Sequence, residues 1–194
     1  MISAGVRSAR SATPATPAGG GRVTITVMSQ ISLHQACVPV FSHGLKALSA
    51  ELEAAAVSAT ARGFSPEVLV DARLYPDMLP LVGQVQRASD TSKFSAERLS
   101  GVKSPHFEDN ERTFAELGSR IQGTLEYLAT IEPAHFEAMG EAPIVTPLGT
   151  ASRERYLLDF ALPNFFFHLA TVHAILRHNG VPLGKLDYLG LKKR

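Results

Sequence analysis

The sequence predicts an all-α protein: a four-helix bundle with a small extended flap or β-hairpin before its last helix. Three observations carry that reading. Four long stretches repeat apolar residues every three or four positions, the spacing that lines side chains along one face of a helix. The first and the last stretch run into glycine stops, Gly63 and Gly180. Between the third and fourth lies a β-branched run, "PIVTP", long enough only for a hairpin of low stability on its own.

The first helix is expected over about residues 30–62, with Phe41, Leu45, Leu48, Leu52, Ala55 and Ala59 on its buried stripe. Pro39 lies inside it and removes one backbone donor, so a kink or a broken first turn is expected. Gly63 is the stop signal. The connector "FSPEVLVDARLYPDMLPL" opens on Ser65-Pro66-Glu67, a start for one short helical turn. It also holds Asp71, Arg73 and Asp77, which suggest either a buried Arg–Asp pair or a cap by Asp77 on the next helix.

The second helix is expected over about residues 77–99, striped by Met78, Leu81, Val85, Ala88, Ser92, Ala96 and Leu99. The third, over about residues 110–130, aligns Phe114, Leu117, Ile121, Thr124, Leu128 and Ile131, and leaves Glu116, Arg120 and Glu126 to face water. The fourth, over about residues 157–179, carries two adjacent stripes: Ala161, Phe165, His168, Val172 and Ile175, then Leu162, Phe166, Leu169, His173 and Leu176. Apolar over more than half its circumference, it is expected to be the most buried of the four. Gly180 closes it and Pro182 prevents its continuation.

Residues 1–27 differ from the rest. They are rich in Ser, Ala, Thr, Pro and Gly, and the first acidic residue of the chain is Glu51. A transit peptide has such a composition, but Arg7, Arg10 and Arg22 do not share an apolar helical face. The preferred readings are a disordered tail or an upstream extension before Met28, leaving residues 28–194 as the bundle domain. "RVTITV" offers a short strand with no evident partner.

Composition narrows the function classes. A formal net charge of +1 argues against wrapping nucleic acid or coating an anionic membrane. No apolar run reaches the roughly 18–20 residues of a membrane span. One cysteine, Cys37, excludes an internal disulfide framework, and a cytoplasmic location is expected. Phosphate-binding glycine loops, nucleophile elbows, HExxH and paired Glu-x-x-His motifs are all absent.

The chemistry therefore rests on histidine. His168 sits mid-face on the fourth helix, one turn after Asn164, and Gln84 or Asp90 of the second helix can supply further polar atoms. Imidazole with amide or carboxylate oxygens suits a divalent metal such as nickel, zinc or iron. The plainer reading is a core histidine hydrogen-bonded to Asn164 or Gln84 without any metal. His173, five residues on, lies at too wide an angle to share an ion with His168 and suits a helix seam or an oligomer contact. His178 and Arg177 complement the dipole of the last turn. His34, reached by extending the first-helix stripe back through Val38, is a weaker candidate for the same interior. His43, His106 and His135 read as surface residues.

"ARLYPDMLPLVGQVQ", "LPNFFFHLATVHAILRHNGVPLGK" and the closing "DYLG" together resemble an uncharacterised branch of the DinB/YfiT-like four-helix-bundle superfamily. The resemblance implies an up-down-down-up bundle and a homodimer. It also implies a divalent metal held by three histidines, one from the second helix and a pair four apart from the last, and in some members transfer of small thiols. Here Gln84 is the nearest polar stand-in on the second helix, and His168 is flanked four residues away by Asn164 and Val172. The expected function is small-molecule binding in an interior polar or metal pocket built on His168, Asn164 and Gln84, with metal-dependent transfer as its catalytic form. The alternative is a non-catalytic dimeric bundle that binds a partner.

Overall fold

The computed structural model describes residues 30–146 and 149–192. The expectations for the tail at residues 1–27 and its short strand lie outside the described residues. Helix α1 spans Leu33–Ala61, α2 Leu81–Ser100, α3 Phe114–Ala129, and the short α4 Pro133–Ala138. Strands β1 (Ile144–Thr146) and β2 (Gly149–Ala151) pair antiparallel as the flap before the last helices. Helix α5 (Arg153–Arg155) continues through a wide π-helical turn (Tyr156–Ala161) into α6 (Leu162–His178), with helical backbone at both junctions. A last turn, α7 (Lys185–Tyr188), closes the described chain.

Local chemistry sets these limits. Ser32 caps α1 through a reciprocal box with Gln35, and Thr113 caps α3 with Glu116 in the same way. Pro39 lies within α1 without breaking it. The second helix begins later than its periodicity suggested: Leu81 follows Pro80, which forces extended backbone before it. Asp77 is therefore exposed and caps nothing, while Arg73 donates to the Met78 carbonyl instead of pairing with an aspartate. Gly101 at φ 74° and Gly180 at φ 82° supply the left-handed exits after α2 and α6.

Residue pairs fix the directions. Phe41 meets Phe165 edge-to-face at 4.9 Å, Glu51 meets His173, and Arg62 reaches the Asn179 carbonyl, so α1 and α6 run parallel. Gln84 meets His168, Thr91 meets Asn164, and Ser95 meets Tyr156, so α2 runs against α6. His34 at the start of α1 contacts the Ile131 carbonyl just past α3, so α3 runs against α1. The order is up-down-down-up. The predicted stripes of α1 and α3 are buried throughout, and so is that of α2 from Leu81 onward.

Two expectations change. Arg120 does not face water; it is 3 % exposed, enclosed by carboxylates from two segments. And α6 is not buried all round. Its inner stripe is covered, but Phe166, Phe167, Pro163 and Ala170 are exposed, because the bundle has no further element on that side among the described residues.

Candidate functional site

The antiparallel pairing of α2 with α6 turns a sequence stripe into a ladder. Gln84, Arg87, Thr91, Ser95 and Arg98 recur every three or four residues on α2, so they share one face. Three of them meet polar partners across the helix interface, the first rung being Gln84 Oε1 with His168 Nδ1 at 2.7 Å. The next joins Asn164 Nδ2 to Thr91 Oγ1 at 2.8 Å, and the last joins Ser95 Oγ to the Tyr156 hydroxyl at 3.0 Å.

Tyr156 reaches its rung because its helix is anchored and widened there. Arg153, buried at the start of α5, donates to the carbonyls of Leu99, Phe136 and Gly140, at 2.6, 2.9 and 2.5 Å. That locks the helix start to the end of α2. The π turn then carries both Tyr156 and Phe160 to the wall of one cleft. Such wide turns recur at functional sites.

The cleft encloses about 330 Å³. Phe94 and Phe160 form its apolar walls, and Thr146 of the flap closes one side. Arg87, Asp90, Ser95, Arg98, Tyr156 and Asn164 supply its polar lining. Of the sequence candidates, Asn164 and Asp90 line it, and the Gln84–His168 pair lies one turn beyond Asn164.

The His168 tautomer follows from its partner. Gln84 Nε2 donates to the Leu79 carbonyl at 3.2 Å, so the amide oxygen faces the imidazole. Only an Nδ1–H can satisfy that oxygen, which leaves the lone pair on Nε2. Burial, helped by the charge of Arg87, pushes the His168 pKa below its ordinary 6.5, so the ring is neutral at pH 7.

Asp90 belongs to a separate arrangement. Its Oδ1 accepts from Arg120 at 2.8 Å and Lys93 at 3.2 Å, and its Oδ2 faces Arg87 at 3.4 Å. Arg120 also meets Glu111 at 2.8 Å and Asp109 at 3.0 Å. Three cations thus balance three carboxylates, holding residues 101–113 against α2 and α3. Asp90 stands beside the cleft with both oxygens engaged.

The remaining candidates lie elsewhere. His173 pairs with buried Glu51 at 2.6 Å and meets Tyr188 edge-to-face, at the seam of α1, α6 and α7. His34 donates its Nε2–H to the Ile131 carbonyl, 3.0 Å away, and packs edge-on against Phe136. Since His168 lies level with the segment of α1 around Gly44 and Leu45, His34 is displaced by roughly 15 Å along the bundle at 1.5 Å per residue. The structure does not bring these histidines together.

The chain matches the family described as "Domain of unknown function (DUF1993)" over residues 33–189. It is a DinB-like member of the DUF1993 family. Among solved structures it is similar to a DinB family member protein from Shewanella denitrificans, at 36 % identity and a TM-score of 0.78, an alignment covering 84 % of this chain and 94 % of that one. No curated protein matches the chain.

A three-histidine metal centre does not fit this DUF1993 chain's donor set. Gln84, the nearest polar stand-in on the second helix, uses both amide atoms within the protein. Val172, four residues after His168, is fully buried and has no ligand atom. No cluster of three or more His, Cys, Asp or Glu suited to a metal occurs among the described residues. Nor does any described helix have the length and apolarity to cross a membrane.

Sequence reasoning missed Arg98, Ser95, Tyr156 and Arg120. A signal for the first two existed in the 84-87-91-95-98 spacing on α2. Tyr156 had none, because its orientation depends on the π turn.

Proposed function

We propose that this DUF1993 domain binds a small organic molecule in the cleft between α2 and the helix running from α5 into α6. The observation that supports this most is the cleft's make-up: two phenyl walls around a few converging polar groups, at a volume near the lower end for small-molecule sites. The neutral imidazole of His168 stands one turn away with its Nε2 lone pair available as a base or acceptor. Binding is the function this geometry supports best. Metal-dependent transfer, which the family resemblance suggests, requires ligands beyond His168.

Protein-observed NMR of the full chain against a panel of small charged and neutral molecules tests the reading. Shifts concentrated at Thr91, Tyr156, Phe160 and Asn164 are expected. A panel that leaves these residues unmoved overturns it. Metal analysis of chelator-free protein, with His168→Ala as control, tests the transfer version; a stoichiometric ion lost in the variant would favour that version.

A second reading is self-association through α6. It rests on the outward face of that helix, where Phe167 is 55 % exposed and Phe166 37 %, beside exposed Pro163 and Ala170. Contiguous apolar surface of this kind marks interaction sites. Sedimentation velocity of wild type and Phe167→Glu tests it: a dimer that becomes a monomer supports the reading, and a monomeric wild type overturns it.

A further inference from the structure

We propose that the corner formed by Ser95, Arg98 and Tyr156 is the seat for the carboxylate of a small aromatic acid, whose ring lies between Phe94 and Phe160. The proposal deepens the ligand-binding reading above and rests on it.

The argument is a count of donors and acceptors. Tyr156 is 3 % exposed and Ser95 1 %, so their hydroxyls meet solvent only through the cleft that they line. Arg98 Nη1 lies 3.4 Å from the Tyr156 oxygen and can only donate to it. The two hydroxyls, 3.0 Å apart, share one proton between them in their mutual bond. Whichever donates, the second hydroxyl proton has no acceptor among the described residues. The corner thus offers that buried proton and, at its solvent-exposed edge, the remaining N–H groups of Arg98, with no protein acceptor facing them among the described residues. A buried donor left unmatched is costly, so the arrangement calls for an oxygen acceptor from outside.

Charge points the same way. Arg87, Lys93 and Arg120 each meet a carboxylate within 4 Å. Arg98 has no carboxylate partner among the described residues. It sits in the last turn of α2, where its charge favours the helix dipole. That role accounts for a cation but not for the spare hydroxyl proton beside it. One guanidinium with adjoining hydroxyls suits the planar, singly charged carboxylate. Next to this corner stand Phe94 and Phe160, each 40 % exposed, facing the same cleft. A volume of about 330 Å³ lies within the range of small-molecule sites.

Matched acids and amides test the seat: phenylacetate against phenylacetamide and benzoate against benzamide, titrated into the full chain by protein-observed NMR. The acids are expected to bind at least tenfold more tightly than the amides, with shifts at Ser95, Arg98 and Tyr156. Arg98→Gln and Tyr156→Phe should each remove that preference, weakening the acids at least tenfold more than the amides. The acids' advantage should also shrink as salt is raised. Equal binding of acid and amide, unmoved by Arg98→Gln, overturns the carboxylate seat but leaves the cleft as a ligand site. No binding by either member of any pair overturns the seat, while the broader panel above decides separately whether the cleft takes other molecules.

Discussion

Gln84 dictates which tautomer the neutral His168 ring adopts. Its amide nitrogen is committed to the Leu79 carbonyl, so its oxygen, 2.7 Å from His168 Nδ1, can only accept. The second helix thereby selects which nitrogen of the sixth carries the proton. Nitrogen-detected NMR at pH 7 should show His168 as the neutral Nδ1–H tautomer. Gln84→Glu puts a carboxylate at the same place and should move the His168 titration upward, because an adjacent negative charge favours imidazolium. A titration that does not respond would mean the rung is not formed.

Stability should fall as the protein is acidified, in two windows of the same sign. The His168 pKa is lowered from 6.5, chiefly by burial. The unfolded chain therefore binds the proton first, and the contribution is complete above about pH 6.5 and declines below it. Glu111 follows lower down. Burial pushes its carboxyl up, but Arg120 and Gln86 outweigh that and hold it below 4.5. Its contribution is present above that value and is lost as pH falls through the folded-state pKa. Urea midpoints at pH 7.5 and 5.5 should differ, and His168→Gln should narrow the gap. An unchanged gap would remove His168 from the account.

Arg120 should be among the costliest side chains to lose. Replacing it with Met leaves Asp90 and Glu111 facing each other without their shared cation. Breaking a buried pair in this way costs about 3–5 kcal/mol. Chemical denaturation measures it, and a loss under about 1 kcal/mol would place the pair in the weak class of exposed bridges. Arg120→Lys should recover little, since one ammonium cannot span carboxylates that the guanidinium reaches with two nitrogens.

At Gly44, α6 packs directly against the backbone of α1. A methyl group there would lie 2.5 Å from the Phe165 ring and 3.0 Å from Leu169. Phe165 is fully buried against Phe41 and has nowhere to retreat. Gly44→Ala should therefore destabilise by about 1–3 kcal/mol, the usual cost of overpacking, despite alanine's better helix propensity. A neutral or stabilising result in thermal melts would show that the two helices can separate.

The local sequence determined the four long helices, their buried stripes and most of their ends. Periodic burial, reciprocal caps and left-handed glycines act within one or two turns, so "SLHQ", "TFAE" and "HNG" can be read without knowing the fold. His168, Asn164 and Gln84 were legible because they interrupt an apolar pattern. Only the tertiary structure decided how those residues divide: Gln84 with His168, Asn164 with Thr91, and Asp90 among three cations. It alone placed Arg120 inside, because its burial depends on Asp90 of α2 meeting it together with the carboxylates just before α3. It alone turned Tyr156 toward Ser95, through a wide turn that leaves no mark in hydrophobic periodicity. Local spacing sets which face of a helix a residue occupies; what that face meets depends on helices far away in the chain.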